Sequence, residues 1–162
     1  MGIILNQKKT GNDRGLEPHP ISSTSLRTTR VYRASRDRVW RALTDPKEIA
    51  KWYAPGTMTT TIHRFDARQG GSFELDMTEA NGTPHGAYGK FLEVVPGRRL
   101  VQTWRWKDFP IDAGESLLTI ELRDVTGGTE LVLTHEKLAN EESSRAHTEG
   151  WTSCLEKLGT IL

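Results

Sequence analysis

The sequence predicts an α+β fold in which a curved antiparallel sheet packs against one long C-terminal helix. Three observations carry that prediction. From Met58 onward, apolar and polar residues alternate with a period of two for about eighty residues, the signature of half-buried strands. The end of the chain then switches period: His147, Trp151, Cys154, Leu155, Leu158, Ile161 and Leu162 recur at steps of three and four and share one helical stripe. At 162 residues the chain is long enough for one domain with a real core and short for two.

Taken in order, residues 1–25 carry Gly, Asn, Pro, Ser and Lys with no apolar periodicity beyond Ile3 to Leu5. They read as an arm, flexible or docked on its own molecule or a neighbour, ahead of a domain spanning residues 26–162. Leu26 to Arg33, rich in Thr, Val and Tyr, is a first strand with polar residues suited to an edge. Ser35 caps a short helix that turns Val39, Trp40 and Leu43 inward and stops at Thr44, because Pro46 disfavours helical geometry in the residue before it. Asp45 caps a second helix, with Pro46 at its first position, Glu48 placed to reach back to the cap amide, and Ile49 and Trp52 on its inner side.

Six strands follow. Thr57 to Phe65 is closed by a turn ending in Gly70-Gly71, and Phe73, Leu75 and Met77 then alternate with Glu74, Asp76 and Thr78, so those two carboxylates face water. Asn81-Gly82 favours a type I′ hairpin into Gly86 to Val95, and Pro96-Gly97 turns the chain into Leu100, Gln102, Trp104 and Trp106 on one face. Leu118, Ile120 and Leu122 precede a Gly127-Gly128 turn, after which Leu131, Leu133 and His135 share a face. Asn140 caps the last helix and Glu141 and Glu142 sit in its first turn, where negative charge suits the exposed amides. About twenty-two residues make a rod of roughly 33 Å, long enough to cross the sheet. Anything the protein binds is expected between the two.

Composition excludes several classes. Charged residues are 27% with a net charge of +1, and neither sign forms a long run, so a nucleic-acid partner is not expected. The basic run Arg27, Arg30, Arg33, Arg36, Arg38 and Arg41 has acidic relief at Asp37, Asp45 and Glu48 and reads as a solvated face. No segment has the length and apolarity of a membrane span, and no secretory leader is evident, so membrane insertion is not expected. One cysteine permits no internal disulfide, which fits a reducing cytoplasm.

The motifs also resemble a known family. Val39 to Pro46, then Trp52 and Pro55, Phe65-Asp66 with Arg68 and Gly70-Gly71, Pro96 with Arg99-Leu100 and Thr103-Trp104, Thr134-His135, and His147 with Gly150-Trp151 resemble the activator-of-heat-shock-chaperone-ATPase homologues. That family lies in the START-like superfamily (SRPBCC), also known as the Bet v or polyketide cyclase and lipid-transport proteins. The resemblance runs from about Arg27 to Leu162. It implies a helix-grip fold, a strongly bent seven-stranded sheet gripping the C-terminal helix with a cavity between. It leaves function open, because one fold serves many functions.

Candidate site residues follow from the facing stripes and their surplus of aromatics. Trp52, Phe73, Met77, Tyr88, Trp104, Trp106, His147, Trp151 and Leu155 are candidates for the lining of an apolar cavity, each with plain core packing as its alternative. His135 and His147 are candidate polar anchors for a ligand, or buried imidazoles joining helix to sheet. Gly150, costly inside a helix, reads as close packing against the sheet or as cavity wall. His63, His85, His135 and His147 lack metal-ligand spacing, and Cys154 on the apolar stripe reads as a small hydrophobe, so neither a metal nor a cofactor is expected.

The expected function is therefore binding of a small, mostly apolar molecule without catalysis. A cyclase- or hydrolase-type enzyme with a pocket histidine is one alternative, and a chaperone-interacting module is another. With no further folded domain before Arg27, a chaperone partner is not expected, and a homodimer is compatible with an exposed sheet edge.

Overall fold

The computed structural model describes residues 19–22, 24–107 and 114–162. Strands β1 (His19–Ser22) and β2 (Ser25–Tyr32) are followed by helices α1 (Arg36–Thr44) and α2 (Pro46–Trp52). Then come β3 (Thr59–Phe65), β4 (Ser72–Thr78), β5 (Pro84–Val95), β6 (Arg99–Trp106), β7 (Ser116–Val125) and β8 (Gly128–Glu136), and finally α3 (Glu141–Ile161). The strands form one antiparallel sheet in the order β1-β2-β8-β7-β6-β5-β4-β3. The bent seven-stranded sheet predicted from the sequence is present as β2 to β8, and α3 lies in its concave face.

Three local expectations are corrected. The first domain strand is not an edge, because His19–Ser22 of the arm pairs beside it as an eighth strand; the arm's residues 1–18 and 23 lie outside the described residues. Glu48 does not close a capping box. Asp45 N–H donates to Arg41 C=O instead, and the Glu48 carboxylate faces Arg38 and Lys51, each at 3.5 Å. Nor does Asn81-Gly82 make a two-residue type I′ turn, which needs positive φ at both residues. Only Gly82 has one (φ 93°), and the link from Thr78 to Pro84 is a five-residue loop closed by Glu79 N–H to Thr83 C=O.

Caps are where the sequence puts them. The Ser35, Asp45 and Asn140 side chains accept from the amides of Arg38, Lys47 and Ser143. The last turn of α3 carries no basic residue of its own, and Arg38 of α1 supplies the cation by donating to Ile161 C=O at 2.8 Å. Further along, Tyr32 of β2 donates its hydroxyl to Leu155 C=O at 2.8 Å, and Lys157 reaches Ala54 C=O at 2.6 Å. Those bonds fix the depth at which the helix lies in the sheet.

The convex face of the sheet meets water through cross-strand pairs of polar and charged side chains. Glu74 pairs with Lys107, Asp76 with His63, Arg99 with both Glu93 and Glu121, and Arg123 with Glu130. Such exposed pairs add little stability each. Their effect is on register, since they mark which side of every strand faces out.

On the concave side, one end of the groove is filled. Phe65, Phe73 and Phe91 meet one another edge to face or tilted, with ring centroids 5.3 to 6.1 Å apart, and Phe73 continues the contact to Trp104 at 5.3 Å. Gly89, directly across from Phe73, leaves room for its ring; a Cβ there would stand 2.8 Å from Phe73 Cε1 and 2.1 Å from Thr103 C=O. Trp52 is buried with its indole N–H on Ala42 C=O at 2.9 Å. The other end of the groove is not filled.

Candidate functional site

The unfilled end is a cavity of about 590 Å³ between α3, the ends of β4, β5 and β6, and the loop after α2. Its apolar wall is made by Met58, Met77, Trp104, Trp106, Trp151 and Cys154. The alternation of β4 brings Met77 to the open end on the same face as Phe73 and Leu75, and the alternation of β6 does the same for Trp104 and Trp106. Pro55 and Met58 reach the wall because the loop carrying them is tied to α3: Gly56 N–H donates to Ser153 Oγ at 2.7 Å, and Lys157 also contacts Met58 C=O.

Two imidazoles are locked in place here, His147 in the wall and His135 behind it. His135 Nδ1 accepts from the Trp151 indole N–H at 3.0 Å, so it carries no proton, and Nε2 donates to Ser116 Oγ at 2.7 Å. Ser116 in turn donates to Trp104 C=O at 3.0 Å. His147 is the mirror case. Its Nε2 accepts from the Trp106 indole N–H at 2.9 Å, and Nδ1 donates to its own helix at Ser143 C=O, 2.7 Å away. The rings meet edge to face with centroids 4.9 Å apart. Each histidine is thus wired neutral, in opposite tautomers, by one indole donor and one oxygen acceptor. Burial, seconded by His147, holds His135 well below its ordinary value of 6.5. Protonating either acceptor nitrogen means giving up an indole hydrogen bond, which is a poor arrangement for a proton shuttle.

The rim is acidic. Glu79 and His85 face each other at 2.9 Å where the loop enters β5, and Glu142 and Glu149 come from α3, two turns apart. Glu149 Oε1 is enclosed without a hydrogen-bond partner, and so is the Trp104 indole N–H. Cys154 lines the cavity, but burial pushes its thiol up to about 12, which makes it a wall atom and not a nucleophile. Among the described residues, no group of three or more His, Cys, Asp or Glu is arranged to hold a metal ion.

The ten residues singled out from the sequence fall into two sets. Met77, Trp104, Trp106, His147 and Trp151 line the cavity. The remainder do not, and each for a physical reason. Trp52, Phe73 and Leu155 are fully enclosed in the filled end of the groove. His135 is completely buried one layer behind Trp151. Tyr88 is 39% exposed on the convex face, because its register partner is Glu74, an outward residue, while the inward positions of β5 are His85, Ala87, Gly89 and Phe91.

Some lining residues escaped the sequence reading. Ala146 and Glu149 lie off the apolar stripe, yet Glu142, Ala146, Glu149 and Gly150 follow one another at helical spacing beside it. That second stripe was the available signal. Gly150 is not a close-packing glycine: a Cβ added there meets nothing within 4 Å, and the residue opens onto the cavity.

A bent antiparallel sheet wrapped on a C-terminal helix, with a recess under the helix, defines the helix-grip class. Residues 33–162 match the model of the Activator of Hsp90 ATPase homolog 1-like protein family, and the chain belongs to that family. The human protein "Activator of 90 kDa heat shock protein ATPase homolog 1" is 26% identical over 133 residues, 82% of this chain. The match spans only 34% of that relative's length. Among solved structures, a Chromobacterium violaceum protein superposes with a TM-score of 0.81 at 30% identity, covering 86% of this chain and 97% of its own. A Rhodobacter sphaeroides protein does so with a TM-score of 0.78 at 26% identity, covering 90% and 95%. No helix among the described residues is long and apolar enough to cross a membrane.

Proposed function

We propose that this protein holds a small, mostly apolar molecule in the cavity beneath α3 and does not transform it. The observation that carries this reading is the cavity itself: about 590 Å³, lined by three indoles, two methionines and a cysteine, with a few polar side chains among them. Sites for small ligands have this make-up and size. Catalysis has less support: of the two histidines that line the cavity among the described residues, His147 has its acceptor nitrogen occupied by Trp106 and His85 is engaged by Glu79. A chaperone-related role is the second reading, favoured by the name of the human relative, of which this chain spans about a third.

The test is a titration with N-phenyl-1-naphthylamine, a neutral dye that brightens in apolar surroundings. The wild type is expected to bind it saturably at one site, and Gly150→Leu, which puts a side chain into open space, is expected to abolish the response. An equal response from both proteins rules out the interior site. Leu155 is unsuitable as the blocking position, since it is already enclosed and a larger side chain there would strain the core.

A further inference from the structure

We propose that the ligand carries a protonated amine, seated at the Glu149 carboxylate with its apolar body against the indoles. This rests on the ligand-holding reading above and adds a charge to it. Among the described residues, three carboxylates line the cavity, those of Glu79, Glu142 and Glu149, and no lysine or arginine does. Glu79 already has His85 as its partner, and Glu142 is exposed to solvent. Glu149 differs from both, because its Oε1 is enclosed and has no hydrogen-bond donor.

An enclosed carboxylate oxygen without a donor is an expensive arrangement, and an ammonium group supplies what it lacks. The walls favour the same sign of charge. Trp104, Trp106 and Trp151 line the same space, and an indole face attracts a cation that comes within about 6 Å of the ring centre. Besides the Trp104 indole N–H, an anion would be drawn by the amide end of α3. That end is met by Asn140 as cap and by Glu141 and Glu142 in the first turn. A neutral hydroxyl is the competing ligand end, because it could accept from the unpartnered Trp104 indole N–H.

Three probes with the same chain separate these cases: n-octylamine, 1-octanol and octanoate, each displacing N-phenyl-1-naphthylamine at neutral pH from the wild type and from Glu149→Gln. The expected result is displacement by octylamine at a concentration about ten-fold lower than by octanol, with octanoate the weakest. In Glu149→Gln that preference should collapse while octanol is unaffected, which also shows the variant to be folded. Equal displacement by all three, or a preference for octanoate or octanol, overturns the amine assignment and leaves the ligand-holding reading standing. An amine preference that survives in Glu149→Gln overturns the role of Glu149. If neither the dye nor any probe binds, both readings fail together.

Discussion

At the scale of single residues, the pairing of two histidines with two tryptophans decides what the site can do. An imidazole that accepts from an indole and donates to an oxygen is a rigid, neutral post between helix and sheet, and here two such posts stand 4.9 Å apart. Stability should record this. His135 is held neutral in the folded protein, with its value well below 6.5, whereas in the unfolded chain it takes up a proton near that pH. Between the two values the unfolded chain binds more protons, so stability rises with pH and falls as the solution is acidified below 6.5. Urea denaturation across pH 7 to 5 should show wild type losing up to about 1.4 kcal/mol per pH unit more than His135→Gln. Equal slopes would mean that His135 does not stay neutral on folding.

At the scale of elements, α3 serves at once as core and as wall. Its filled half carries Leu155 and Leu158 against the sheet, and its open half carries Ala146, Glu149 and Gly150 over space. The apolar stripe was legible from spacing alone because burial in the filled half follows the helical period closely. The open half was marked only by the weaker second stripe of Glu142, Ala146, Glu149 and Gly150, since a side chain over a cavity need not be apolar. Gly150 was legible as unusual but not as to why. A glycine pair separates the two causes. Gly150→Ala removes a helix penalty without any clash and is expected to raise stability by about 1 kcal/mol. Gly89→Ala drives a methyl against the Thr103 carbonyl and Phe73 and is expected to lower stability by several times that, about 3 kcal/mol. Thermal or urea unfolding of both variants checks the signs. A loss of stability in Gly150→Ala would mean that the helix sits closer to the sheet than described.

At the scale of the whole molecule, the groove is divided: aromatic packing at one end holds the sheet's curvature while the other end stays open. Period, caps and turn glycines made the helix-grip arrangement readable, because those signals are local and repeat in every element. Which half of the groove would be filled was not readable. It depends on the ring sizes of Phe65, Phe73 and Phe91 meeting across three strands, and on the parity of β5, which turned Tyr88 outward and His85 inward. The β4–β5 register carries that parity, and the five-residue loop at Glu79 to Thr83 sets the register in a way that Asn81-Gly82 alone did not indicate. The division of the groove has a direct spectroscopic consequence, since the chain's 5 tryptophans fall on both sides of it. The indole N–H resonances of Trp104, Trp106 and Trp151 should shift when ¹⁵N-labelled protein is titrated with N-phenyl-1-naphthylamine, while those of Trp40 and Trp52 stay where they are. Shifts confined to Trp40 and Trp52, or no indole shift at saturating dye, would contradict an interior binding site.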